Sequence, residues 1–172
     1  IVYTRWEYVD RSQVHFHHLW AANPDGTAQT IWFGNLHPGI TMIDAKPIPG
    51  SDKVVALFSP GHGQLEHAGT VTVVNPNAGP DNQAFAKAIS RNNQFRDPWA
   101  FSENCFLAAR GQSLVLLDET GATETVFKLS EEDTKRGMLL QEPRPLIARA
   151  REPVIYPRVN PSVPTGKLIL VP

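Results

Sequence analysis

Three short polar turns punctuate this chain, and each closes an apolar run. They are Asn23-Pro24-Asp25-Gly26-Thr27, Asn75-Pro76-Asn77-Ala78-Gly79 and Asp118-Glu119-Thr120-Gly121-Ala122-Thr123. The runs before them are Leu19-Trp20-Ala21-Ala22, Thr70-Val71-Thr72-Val73-Val74 and Ser113-Leu114-Val115-Leu116-Leu117. The turns lie about 40 to 50 residues apart, the period of a four-stranded propeller blade. Such spacing predicts an all-β chain and a partial β-propeller, with about three four-stranded antiparallel blades plus a fragment. It says little about activity, because one scaffold carries many unrelated functions.

Each unit reads as strands separated by turn chemistry. In the first blade, residues 1–40, strands are expected at 1–9, 17–22 and 28–33. Proline fixes φ at the first corner of its turn and glycine supplies the left-handed conformation. The second blade, 41–92, has strands at 41–48, 53–58 and 69–74, then an outer strand or helix at 83–89. The third, 93–137, has strands near 99–101 and at 105–109, 114–117 and 124–129. Ser130-Glu131-Glu132-Asp133 is expected to cap a short helical turn.

Beyond Met138 the texture changes. Pro143, Pro145, Pro153, Pro157, Pro161 and Pro164 crowd about twenty residues, a density that favours an extended connector. Residues 138–172 are therefore a Pro-rich connector and the start of a further blade, with a strand at 167–171. Three blades and a fragment fall short of the ~4 to 8 that close a ring. Closure is expected from further sequence or another chain, and open edges make self-association an expected behaviour.

Net charge is −1, so nothing draws the chain to nucleic acid or an anionic membrane. No apolar run approaches the ~20 residues of a membrane span. The chain starts Ile1-Val2-Tyr3-Thr4, without a secretory leader, and reads as a piece of a longer protein. The single cysteine, Cys105, rules out an internal disulfide and Cys-x-x-Cys metal or haem motifs. Its apolar neighbours predict a buried, inert thiol.

The run Trp6-Glu7-Tyr8-Val9-Asp10-Arg11, then His18-Leu19-Trp20, then Asn23-Pro24-Asp25-Gly26-Thr27 resembles the TolB-like propeller blade. With Tyr3-Thr4-Arg5-Trp6, Phe33-Gly34-Asn35, Ile48-Pro49-Gly50-Ser51, Gly61-His62-Gly63, Glu142-Pro143-Arg144-Pro145-Leu146 and Arg149, the chain resembles the propeller region of the hydrazine synthase alpha subunit family. The resemblance implies a six- or seven-bladed propeller within a larger exported protein, periplasmic or secreted. In that family c-type haems on Cys-x-x-Cys-His motifs carry the chemistry. No such motif stands here, so haem is not carried over.

Six histidines are the most suggestive polar set. His15, His17 and His18 lead into a strand, His37 lies between units, and His62 and His67 flank a glycine-containing loop. In a propeller these connections emerge on one face of two adjacent blades. Residues i and i+2 of a strand point the same way, so His15 and His17 could share a divalent metal with His62 or His67. Glu66 could then serve as ligand or supporting acceptor. The simpler alternative is histidines bonded to neighbouring carbonyls. Asp25 is expected to cap its turn, and Arg11 to pair with a carboxylate or loop carbonyl between blades. Asp10 has no clearer chemistry. Trp6, Trp20, Trp32 and Trp99 are expected in core and inter-blade packing. Arg144, Arg149, Arg151 and Arg158 sit on the proline-rich connector, where they could grip an anion or another domain.

No Gly-rich phosphate loop, Gly-x-Ser-x-Gly elbow or Ser/His/Asp arrangement is visible. Binding roles therefore rank above enzymatic ones. The leading expectation is a non-catalytic scaffold or interaction surface that meets other domains of the same protein or a protein partner. The alternative is part of a metal- or haem-dependent redox enzyme with the histidine-bearing face lining its site.

Overall fold

The computed structural model describes residues 1–12, 14–61, 67–156 and 160–168. Among these the chain is all-β and forms two sheets. The first holds β1 (Val2–Trp6), β2 (Phe16–Ala21), β3 (Thr30–Phe33), β4 (Ile40–Pro47), β5 (Val54–Ser59), β6 (Thr70–Val74) and β7 (Ala86–Ala88). The second holds β8 (Arg96–Ser102), β9 (Cys105–Arg110), β10 (Ser113–Asp118) and β11 (Thr123–Lys128). The helix α1 (Glu131–Lys135) follows, with Ser130 Oγ accepting from the Asp133 amide at its start. That is the cap expected from Ser130-Glu131-Glu132-Asp133.

β4 to β7 and β8 to β11 are each antiparallel, in chain order. The turns that set their spacing work as side-chain caps. Asp25 Oδ1 accepts from the Thr27 amide, Asn75 Oδ1 from Asn77 and Asp118 Oδ1 from Thr120. The first and third turns also share a backbone pattern. Asn23 N donates to Thr27 O and Gly26 N to Asn23 O; Asp118 N donates to Ala122 O and Gly121 N to Asp118 O. Glycine is needed there because φ is +81° at Gly26 and +83° at Gly121.

Two cores fill the space between successive antiparallel groups. One packs Leu19, Phe33, Met42, Val54, Ala56 and Val74 between β1–β3 and β4–β7. The other is larger and packs Ile48, Val55, Leu57 and Val71 of the first sheet against Phe106, Ala108, Val115 and Leu117 of the second. Alternation explains the pairing: Val54 and Ala56 face one core, Val55 and Leu57 the other.

Several expectations are corrected. Residue 40 does not end a sheet, because β2 runs parallel to β4 through Phe16–Ile40 and His17–Thr41. β3 is short and covers only the Leu19–Ala21 half of β2, so the edge of Phe16 and His17 is left for β4. The strand expected over 1–9 ends at Trp6, with Val9 in an isolated bridge to Ser12. Residues 83–89 split into a 3-10 turn at Gln83–Phe85 and the short β7. Cys105 is half-buried, at the tight turn from β8 to β9, not enclosed. None of the four tryptophans is fully buried; Trp32 packs against the first core from its margin, and Trp6 is 46% exposed. They sit at strand ends and sheet margins, where a large amphipathic ring is half covered. Residues 167–168 carry no strand; the rest of the strand expected at 167–171 lies outside the described residues.

Candidate functional site

The parallel step from β2 to β4 gathers the histidine-bearing connections at one end of the first sheet. His15 O accepts from Gly39 N at 2.9 Å. A Cβ placed on Gly61 would lie 3.3 Å from Gly39 O, so the β5–β6 connection abuts the same place. His15, His17, His18, His37 and His67 therefore share one end of the sheet. His62 and Glu66 lie outside the described residues.

Sharing an end is not sharing a ligand position. β2 starts at Phe16, so His15 precedes the strand. It is exposed, with Nδ1 2.9 Å from Ser12 Oγ. His17 is on the strand, buried, its ring stacked 4.9 Å from Trp6. The same-face pairing expected of His15 and His17 fails because only one of them is in extended strand. His67 is exposed and has φ +65°.

The histidine most deeply placed is His18, at 1% exposure. Its ring stacks 6.0 Å from Trp20 and meets Phe16 edge-on at 6.1 Å. Nε2 lies 3.7 Å from Glu7 Oε2. Glu7 in turn is held by Arg11, whose other nitrogen reaches Asn35 O at 2.8 Å and Asn35 Oδ1 at 3.0 Å. Arg11 thus takes both a carboxylate and a loop carbonyl, but both partners lie within residues 1–40 and not between units. It also lies over Phe16, and Arg5 lies 4.1 Å over Trp20. The outcome is a row of three rings along β2, Phe16, His18 and Trp20, with Arg11 over one end and Arg5 over the other.

Burial lowers the His18 pKa, and Glu7 opposes that shift less strongly. Burial lowers His37 as well. A histidine depressed in the folded chain binds its proton more readily when unfolded. Stability is therefore lost as pH falls from about 6.5 toward the folded value. Urea midpoints at pH 7 and pH 5 are expected to drop less in His18→Phe than in the unmodified chain. An equal drop in both would assign the acid sensitivity elsewhere.

A second polar cluster escaped the sequence. Asp44 of β4, Asp97 of β8 and Glu142 beyond α1 bring one carboxylate oxygen each to within 4.8 Å of one another. The two aspartates hold matching places. Asp44 lies in the β-bulge between Ile43–Leu57 and Lys46–Val55; Asp97 lies in the one between Arg96–Ala109 and Trp99–Leu107. Each bulge sets two residues against one and takes its first residue left-handed, φ +58° and +49°. Glu142 N donates to Asp97 Oδ2 at 2.8 Å. Lys46 Nζ, buried, lies 3.9 Å from Glu142 Oε2. The clue was an aspartate inside an apolar strand, Thr41-Met42-Ile43-Asp44-Ala45. Nothing local in the sequence pairs it with Asp97 or Glu142.

A groove of about 340 Å³ opens beside His37, floored by Phe58, Thr70, Thr72 and Ala86. Among the described residues its lining carries no charged side chain. Comparison with protein-family models, characterised proteins and solved structures found no match to this chain. No helix among the described residues is long and apolar enough to cross a membrane.

Proposed function

We propose that this chain is a segment of a TolB-like β-propeller that serves as a scaffold and interaction surface within a larger exported protein. The observation carrying the proposal is surface left uncovered where further blades would pack. β11 is exposed along all six residues, including Val126 at 50% and Phe127 at 51%. The connector presents Leu146, Ile147, Val154, Ile155 and Tyr156 to solvent. Surface of this kind marks an interface. Two further features support the reading. Both complete groups are four-stranded and in chain order, and each core lies between consecutive groups, as between face-packed blades. The group β1–β3 is one strand short of its neighbours.

The histidine-bearing end, with Arg5 over Trp20, Arg11 over Phe16 and Trp6 stacked on His17, is the surface assigned to a partner domain. Its components are amphipathic rings and cations, the residue types that dominate protein interfaces. Light scattering across a concentration series is expected to show self-association of the isolated chain. Val126→Lys with Phe127→Glu on β11 is expected to reduce it. A soluble monomer at all concentrations would count against open blade edges, and with them the scaffold reading.

A further inference from the structure

We propose that Asp44, Asp97 and Glu142 form a proton-operated latch that holds the connector after α1 across the junction of the two sheets. The connector touches the sheets at few points. Leu140 N donates to Gly111 O at 3.0 Å, Glu142 N donates to Asp97 Oδ2, and Pro143 is buried. From Leu146 to Tyr156 the chain is exposed throughout. Among the described residues, Glu142 thus makes the connector's last polar contact with the sheets.

That contact is crowded with like charge. β4 contributes Asp44 and Lys46, β8 contributes Asp97, and the connector contributes Glu142 and Arg144. Arg144 is turned toward Glu142 Oε2 at 2.9 Å and is largely exposed. Lys46 is the one buried cation among these groups. With a proton shared between Asp44 and Asp97, two negative charges remain, facing Lys46 and Arg144. Without it, three carboxylates stand within 4.8 Å, and the connector bears one of them. Burial, then the Asp97 charge and its hydrogen bond, push Asp44 up to about 6. The proton is therefore present in mildly acidic solution and lost as pH rises through about 6. The latch closes on the acidic side and loosens on the neutral side.

Amide hydrogen exchange on the full chain tests this. The reporters are the Leu140 and Glu142 amides, with the core Val55 amide as a control for global opening. Rates are corrected for the chemical effect of pH. Protection at Leu140 and Glu142, relative to Val55, is expected to fall about tenfold between pH 5 and pH 7.5, the effect of one pKa unit of coupling. Asp44→Asn, an uncharged mimic of the protonated acid, is expected to keep high protection at both values. Glu142→Gln removes the third charge without touching β4, and is expected to flatten the profile should Asp44→Asn fail to fold. Flat protection in the unmodified chain would overturn the proposal, as would full pH dependence in either folded variant. Protection at pH 7.5 restored by millimolar calcium alone would also overturn it, by making the cluster a cation site.

Discussion

Replacing Gly69 with alanine is expected to cost roughly 3 kcal/mol, because the new methyl group has no room and the obstacle is backbone. A Cβ built there overlaps the Phe58 carbonyl, with Ser59 N only 2.7 Å away. The φ of Gly69 is not left-handed, so the conflict is one of space. Relief requires β6 to move from β5 at its first pair, Phe58–Thr70. Gly69 also joins the two sheets: its N–H donates to Phe95 O at 2.9 Å and its carbonyl accepts from Phe95 N at 3.2 Å. Each bond contributes on the order of 1 kcal/mol, so a shift that breaks both accounts for much of the loss. Chemical denaturation of Gly69→Ala beside Gly79→Ala makes the comparison. Nothing lies within 4 Å of a Cβ at Gly79, where only the positive φ of +84° is strained. Equal losses at the two positions would show that steric overlap is not what Gly69 avoids.

Strand positions were legible where side-chain pattern and turn chemistry agree. Val54 to Ser59 and Thr70 to Val74 are rich in β-branched or apolar residues and bounded by turn residues. The caps at Asp25 and Ser130 could be read because each acts within three residues of itself. The pairing of β2 with β4 could not. It depends on how far β3 covers β2, and β3 was read as 28–33 where the strand starts at Thr30. His15 failed for a related reason: the same-face rule holds only inside a strand, and the strand begins one residue later. The carboxylate cluster was hidden most completely. Asp44 and Asp97 meet because two bulges face each other across a junction between sheets, and a bulge leaves little trace in sequence when its left-handed residue is not glycine. Glu142 reaches them from a proline-rich stretch whose pattern predicted only an extended connector. Local chemistry was visible, and convergence of distant segments was not.

Phe106→Ala is expected to destabilise the chain by about 3–5 kcal/mol, the range for emptying a fully enclosed aromatic site. Phe106 is 0% exposed, on β9, in the core shared by both sheets. Its neighbours there include Leu57, Val71 and Ile48 from the first sheet and Val115 and Leu117 from the second. All but Ile48, which follows β4, are held on strands paired on both sides, so the cavity cannot close without moving a sheet. The value of the experiment lies in the shape of the transition as well as its midpoint. The shared core, the Gly69–Phe95 bridge and the pair Lys53–Glu103 at 2.6 Å all tie β4–β7 to β8–β11. If these ties make one cooperative unit, circular dichroism and tryptophan fluorescence will shift together in the variant. Trp6, Trp20 and Trp32 report on the first sheet and Trp99 on the second. A variant in which the second sheet melts first, while β1–β7 stays folded, would instead show that the first sheet is stable without the second, as expected of a repeat array in which neighbours interact weakly.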